Sequence, residues 1–68
     1  MIKYDKLFAL LAANGKSATN WLRNNGMHAV TVNKLRHNQS VNTDTIDRLC
    51  ALLDCQPGDI MEHVKPEA

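Results

Sequence analysis

Apolar residues recur at helical spacing in short segments of this 68-residue chain, and glycine or asparagine interrupts the segments. Both residue types tolerate the left-handed backbone conformation that commonly ends a helix. A chain of this length buries only ~60% of the surface that its unfolded form exposes, so it supports one modest core. The pattern therefore predicts a single domain over residues 1–68 that is built from short helices.

Three helices are predicted in the first half of the chain, at about 4–14, 18–24 and 29–37. The first has apolar residues at the spacing i, i+3, i+4 and i+7, which are Tyr4, Leu7, Phe8 and Leu11. Ser17 is a favourable N-cap for the second helix. Val32 and Leu35 mark the inner face of the third.

Two more helices are predicted in the second half. Asn42 is placed to cap the fourth helix, which has the clearest apolar stripe of the chain, formed by Ile46, Leu49, Cys50 and Leu53. Gln56-Pro57 opens a short fifth helix, because proline suits the first helical position. Its apolar side is formed by Ile60, Met61 and Val64. No segment alternates as a strand does, so the expected fold is an all-α bundle of five helices, with residues 65–68 as a frayed tail.

The charges divide unevenly along the chain, although the net charge is only +1. Between Asp5 and Asp44 there is no acidic residue, and five basic residues lie there: Lys6, Lys16, Arg23, Lys34 and Arg36. From Asp44 onward, six acidic residues outnumber Arg48 and Lys65. Such a division is typical of a protein with one face that attracts a polyanion such as DNA, although two ordinary solvated faces give the same count.

Several other function classes are not supported by the sequence. Cys50 and Cys55 are too few for a secreted disulfide scaffold and are interpreted as reduced packing residues. Together with His63 they match no zinc pattern and lack a fourth ligand, so no metal is expected. No nucleophile and base pair or glycine-rich phosphate loop indicates an enzyme or a cofactor. No apolar run approaches the ~20 residues of a membrane span, and a cytoplasmic location is expected.

The second and third predicted helices are joined by a turn with a demanding pattern. A DNA-binding helix-turn-helix needs a glycine in the turn, then an apolar residue that enters the core, and then two inward apolar residues three apart. Gly26, Met27, Val32 and Leu35 meet these requirements in order. The spacing predicts that the outer face of the third helix is free to enter a major groove.

The chain as a whole resembles the Cro/Xre family of phage-repressor-like helix-turn-helix regulators, and in particular its minimal branch of short chains. Four stretches carry the resemblance: MIKYDKLFALL, NNGMH, TVNKLRHNQSVNTDTIDRLCALLDC and CQPGDIMEHV. The resemblance implies a lambda-repressor-like fold and a transcriptional regulator, usually a repressor, whose third helix lies in the major groove. No small-molecule ligand is implied.

The resemblance also implies which residues touch DNA. Base-facing positions of the family correspond to Ala29, Val30, Asn33 and Lys34. A lysine can donate to guanine, an asparagine can pair with adenine, and small apolar side chains can contact thymine methyl groups. The positions expected to contact the DNA backbone are Lys16, Ser17, Thr19, His28, Thr31, Arg36, His37, Asn38, Gln39 and Ser40. Lys34 and Arg36 also have a simpler interpretation as solvated charges.

Family members usually bind two half-sites, so a homodimer on a palindromic operator is expected. The candidate dimer interface consists of Leu52, Ile60, Met61 and Val64. An alternative function is a protein-interaction module that has kept the fold and lost DNA readout. This alternative is motivated by Ala18, Ala29 and Val30, which place apolar side chains at positions of DNA contact.

Overall fold

The structure is a computed structural model that describes residues 1–66, so the predicted tail residues 67–68 lie outside the described part. The described chain forms a short antiparallel sheet of two strands, four α-helices and one turn of 3-10 helix at Pro57–Asp59. The strands are β1 (Ile2–Lys3) and β2 (Glu62–His63), and the helices are α1 (Asp5–Ala13), α2 (Ala18–Asn24), α3 (Ala29–Arg36) and α4 (Thr43–Leu53). Among residues 1–66, no helix has both the length and the apolar character that a membrane span requires.

Each of the four helices is followed, within two residues, by a residue in the left-handed region. Gly15, Gly26, Asn38 and Asp54 have φ values of 70°, 88°, 55° and 52°. In each case the next residue donates its backbone N–H to a carbonyl five residues back, as Met27 does to Leu22 at 3.1 Å. This hydrogen bond reverses the chain at the helix end. The ends predicted at the first three of these residues are confirmed. Asp54 is not identified from the sequence, although aspartate also tolerates this conformation.

One hydrophobic core holds the four helices together. Its ten buried side chains come from every helix and from both flanking segments: Tyr4, Leu7, Leu11, Leu22, Met27, Val32, Leu35, Ile46, Leu49 and Ile60. Nearly all of them lie on the apolar stripes that the sequence predicts. Leu22 is the one fully buried residue of α2, and Ala18 and Trp21 of the same helix pack against the core beside it.

The predicted fifth helix is wrong. Pro57–Asp59 forms a single 3-10 turn, closed by the backbone N–H of Gln56, which donates to the Asp59 carboxylate at 3.0 Å. The chain then extends into β2, which pairs with β1 so that Ile2 lies opposite His63. Ile60, Met61 and Val64 have helical spacing, but the segment that contains them is too short to form a stable helix. Its backbone forms hydrogen bonds with the N-terminal segment instead.

The C-terminal segment therefore joins the N-terminal one instead of adding a helix. Val64 donates its N–H to the carbonyl of Met1 at 2.8 Å, beyond the paired strands. Lys65 and Pro66 have no regular structure. The expectation that no strand is present is likewise wrong, because two-residue strands are too short to show an alternating pattern.

The predicted cap of α4 is confirmed. The Asn42 side-chain oxygen accepts hydrogen bonds from the backbone N–H and the hydroxyl of Thr45, both at 2.9 Å. Ser17 holds the equivalent position before α2, but its side chain makes no capping hydrogen bond. Asn42 and Ser17 thus occupy equivalent N-cap positions, but only the Asn42 side chain makes a capping hydrogen bond.

Asn42→Ala is expected to lower the free energy of unfolding by about 1 kcal/mol, because it leaves backbone N–H groups of the first turn of α4 without a partner. Urea denaturation followed by circular dichroism measures the change. Ser17→Ala serves as the control and should cost less. Equal losses in the two variants would contradict the assignment of Asn42 as the engaged cap.

Candidate nucleic-acid interface

The turn between α2 and α3 is held by side chains from both of its sides. Gly26 takes its positive φ in the middle of the turn, and Met27 enters the core with 6% of its surface exposed. From α4, Arg48 donates a hydrogen bond at 3.0 Å to the carbonyl oxygen of Asn25. The turn has the geometry that the sequence predicts, and Arg48 adds a contact that the local pattern does not reveal.

The outward face of α3 carries a stripe of exposed side chains. Val32 and Leu35 are buried and direct the opposite side of the helix to solvent. Val30, Asn33, Lys34 and His37 share that side, since they follow the spacing i, i+3, i+4 and i+7, and all four are exposed. Val30 has 66% of its surface exposed, more than any other large apolar side chain of residues 1–66. The stripe includes three of the four residues expected to face bases.

The remaining residues of α3 lie on its two flanks. Ala29 is exposed and belongs to the flank that faces α2, together with Arg36. Thr31 is half-buried on the opposite flank. His28 precedes α3 at its N-cap position, is exposed, and makes no side-chain capping bond. Its imidazole is therefore not engaged at the helix start.

Two contacts arrange the cations around α2. The Arg36 guanidinium donates from Nη1 to the Thr19 hydroxyl oxygen at 2.6 Å, which ties the end of α3 to the start of α2. The Lys16 ammonium lies 5.9 Å from the centre of the Trp21 ring, within the range of a cation–π interaction. Trp21 is half-buried and packs against the core.

The loop after α3 is anchored to the start of α1 through Tyr4. The Asn38 side-chain oxygen accepts from the Tyr4 backbone N–H at 3.0 Å, and the Tyr4 hydroxyl donates to the Gln39 carbonyl at 3.1 Å. The side-chain oxygen of Asn38 is thus used inside the protein, which leaves its amide NH₂ for any other partner. His37 and Ser40 are exposed beside it.

A cleft of about 230 Å³ opens between α2 and α3. The residues that line it are Thr19, Arg23, Ala29, Val32, Asn33 and Arg36, and none of these six is acidic. Arg23 is not among the residues that the sequence analysis expects to contact DNA. Its spacing of four from Thr19 on a predicted helix, within the acid-free stretch, is the signal that would have found it.

The two cysteines pack against the core. Both are free and half-buried. Burial raises the pKa of the Cys55 thiol above its usual value, and the neighbouring Cys50 and the carboxylates of Asp59 and Asp54 raise it further. A raised pKa keeps the thiol protonated and weakly nucleophilic. Within residues 1–66, no three side chains of His, Cys, Asp or Glu come together in a way that could hold a metal ion.

The candidate dimer interface is only partly available at the surface. Ile60 is completely buried in the core of the single chain and offers no surface to a partner, so its assignment to the interface is corrected. Ile60 directly follows the 3-10 turn, which packs against α4, and its side chain joins the core. Leu52 is 39% exposed, and Met61 and Val64 are half-buried.

Comparisons with known proteins agree with this geometry. The family model described as "Cro/C1-type HTH DNA-binding domain" matches residues 6–66. No curated protein matches the chain. Among solved structures, the crystal structure of transcriptional regulator VanUg, form II, is similar, with a TM-score of 0.88 at 28% sequence identity. That match covers 96% of this chain and 87% of the other.

Proposed function

The chain belongs to the family of Cro/C1-type helix-turn-helix DNA-binding domains, and we propose that it regulates transcription by binding a specific sequence of double-stranded DNA. The family is one of DNA-binding domains and not of enzymes. The observation that carries the proposal is the exposed stripe on α3, opposite the buried Val32 and Leu35. An apolar inner face with an exposed outer face is what a helix needs in order to lie in a major groove.

We assign base contacts to the exposed side chains near the start and middle of α3. Lys34 donates to guanine O6 and N7, Asn33 pairs with adenine, and Ala29 and Val30 contact thymine methyl groups. The exposure of all four residues supports this assignment.

Contacts to the DNA backbone are proposed for residues that surround this stripe. The N-cap positions of Ser17 and His28 support their part, because backbone N–H groups and unengaged side chains at helix starts suit phosphates. The other proposed contacts are Lys16, Thr19, Thr31, Arg36, His37, Asn38, Gln39 and Ser40.

We further propose that the regulator is a cytoplasmic repressor, and that two copies bind the two halves of a palindromic operator. A single recognition helix buries little surface on DNA, so a second copy would raise the affinity. Leu52, Met61 and Val64 remain the candidate interface. Sedimentation with and without the operator measures this, and a monomer under both conditions would rule it out.

A second candidate function is a protein-interaction module. The observation that favours it is the exposed apolar surface of Val30, the first residue of the stripe. A module of this kind would bind a partner through α3 and would show DNA binding that is absent or indifferent to salt.

Lys34→Ala is expected to weaken binding to the preferred duplex by about 1–3 kcal/mol, roughly 5- to 150-fold, because it removes a donor to a base edge. The duplex is first selected from a random library and then titrated at two salt concentrations. Lys65→Ala, which removes the same charge outside the helix-turn-helix, is the control and should bind nearly as the wild type does.

A palindromic motif, with binding weakened by salt and by Lys34→Ala, is the expected outcome. Absence of an enriched motif, or equal binding by Lys34→Ala and wild type, would favour the interaction module instead.

A further inference from the structure

We infer that the cleft between α2 and α3 is a phosphate site in which Arg23 and Arg36 together hold one phosphate of the DNA backbone. The inference rests on the proposed function and deepens it, because it assigns a role to Arg23 and names the chemical group that the cleft receives. A free phosphate ion has the same chemistry, and the experiments below separate the two sources.

Arg36 is positioned for this role by its hydrogen bond to Thr19. One N–H of its guanidinium is used by the Thr19 hydroxyl oxygen at 2.6 Å. A guanidinium has five N–H donors in a planar fork, so the others remain for acceptor oxygens. The bond holds a flexible side chain in one place at the rim of the cleft. The ordering cost of binding an anion is thereby lowered.

Arg23 supplies the second cation. It lies one turn after Thr19 on α2, and both residues line the cleft. Arg23 is exposed, so its guanidinium is not committed to the core. Asn33 lines the cleft on the α3 side, and its amide keeps its assignment to adenine.

The cleft is complementary to an anion. None of its six lining residues is acidic, and its apolar members Ala29 and Val32 are small side chains that leave about 230 Å³ open. Arg23 and Arg36 both line this opening, and a guanidinium can donate a pair of hydrogen bonds to phosphate oxygens. Charge-assisted bonds of this kind are stronger than neutral ones, so phosphate is the group that the cleft fits.

The place of the cleft favours the DNA backbone over a base edge. When α3 lies in the major groove, the helix before it crosses the sugar-phosphate backbone. The cleft lies on the flank of α3 that faces α2, and Val30 and Lys34 lie farther around the helix on the outer stripe. A group entering between the two helices is therefore a phosphate at the wall of the groove.

Arg23→Gln tests the inference against Lys65→Gln, which removes the same charge from an exposed position outside the helix-turn-helix. With the selected duplex, Arg23→Gln should weaken binding about tenfold for each bound copy, the loss of one charge-assisted contact per half-site. It should also reduce the slope of log affinity against log salt by about 0.9 for each bound copy. The same factor is expected for an unrelated duplex, because a phosphate contact carries no sequence information.

Duplexes with single methylphosphonate substitutions locate the phosphate. For the wild type, neutralising one phosphate in each half-site should weaken binding, and Arg23→Gln should show no further loss at that same position. Thr19→Val, which keeps both arginines but removes the acceptor for Arg36, should give a smaller loss at the same phosphate.

The inference would be overturned if Arg23→Gln had the same salt slope and the same response to methylphosphonates as the wild type. It would also be overturned if Lys65→Gln lost as much affinity as Arg23→Gln. If the wild type binds no duplex, the proposed function fails. Titration with inorganic phosphate then tests, independently of DNA, whether the cleft binds an anion. Amide chemical-shift changes confined to the cleft residues, and absent in Arg23→Gln, would support an anion site. Their absence from the wild type would overturn it.

Discussion

Leu22→Ala is expected to lower the free energy of unfolding by about 2–5 kcal/mol, the range for removing most of a buried leucine side chain. Leu22 has no exposed surface and is the one buried residue of α2. Small domains have total stabilities of about 5–15 kcal/mol, so the variant would lose a large part of its stability. Urea denaturation followed by circular dichroism measures the loss.

Leu52→Ala, measured at a concentration at which the chain is monomeric, is the matched control for this prediction, because the same atoms are removed from a side chain that is 39% exposed on α4. Its cost should be well below that of Leu22→Ala, since burial sets the penalty. Equal costs for the two variants would mean that α2 is not held by Leu22. DNA binding by Leu22→Ala should fall in proportion to its unfolded fraction.

Gly26→Ala is expected to cost about 1–3 kcal/mol, because a residue with a Cβ is strained at a φ of 88°. The structure adds a second cost at this position. A Cβ on Gly26 would lie 2.7 Å from Nη2 of Arg48, the atom that donates to the Asn25 carbonyl. The guanidinium ends a flexible and exposed side chain, so it would move aside at a small cost that includes its hydrogen bond to the turn.

Gly15→Ala separates the two costs. Gly15 has a similar φ of 70°, but a Cβ there would meet no atom within 4 Å. Gly15→Ala should therefore show the cost of backbone strain alone and should be less destabilised than Gly26→Ala. In an Arg48→Ala background the excess cost of Gly26→Ala should disappear, as a double-mutant cycle in urea would measure. An excess that persists without Arg48 would contradict the role assigned to that side chain.

The sequence allowed the first four helices to be predicted to within a residue or so of their observed ends. Their signals are local: an apolar stripe on each helix, Asn42 before α4, and residues such as Gly15 and Gly26 after helix ends. These signals depend on φ preferences and on hydrogen bonds between near neighbours, so tertiary contacts change them little. The outward stripe of α3 follows from the same periodicity, because Val32 and Leu35 direct the opposite face to solvent.

The tertiary structure alone decided the parts that depend on residues far apart in the chain. Whether the segment after Pro57 continues as a helix or extends as β2 depends on backbone partners about 60 residues away, in β1. The cleft that joins Arg23 to Arg36, and the reach of Arg48 to the turn, depend on how helices pack. Local periodicity specifies which face of a helix is buried, but the neighbours of an exposed side chain are set only when the core closes.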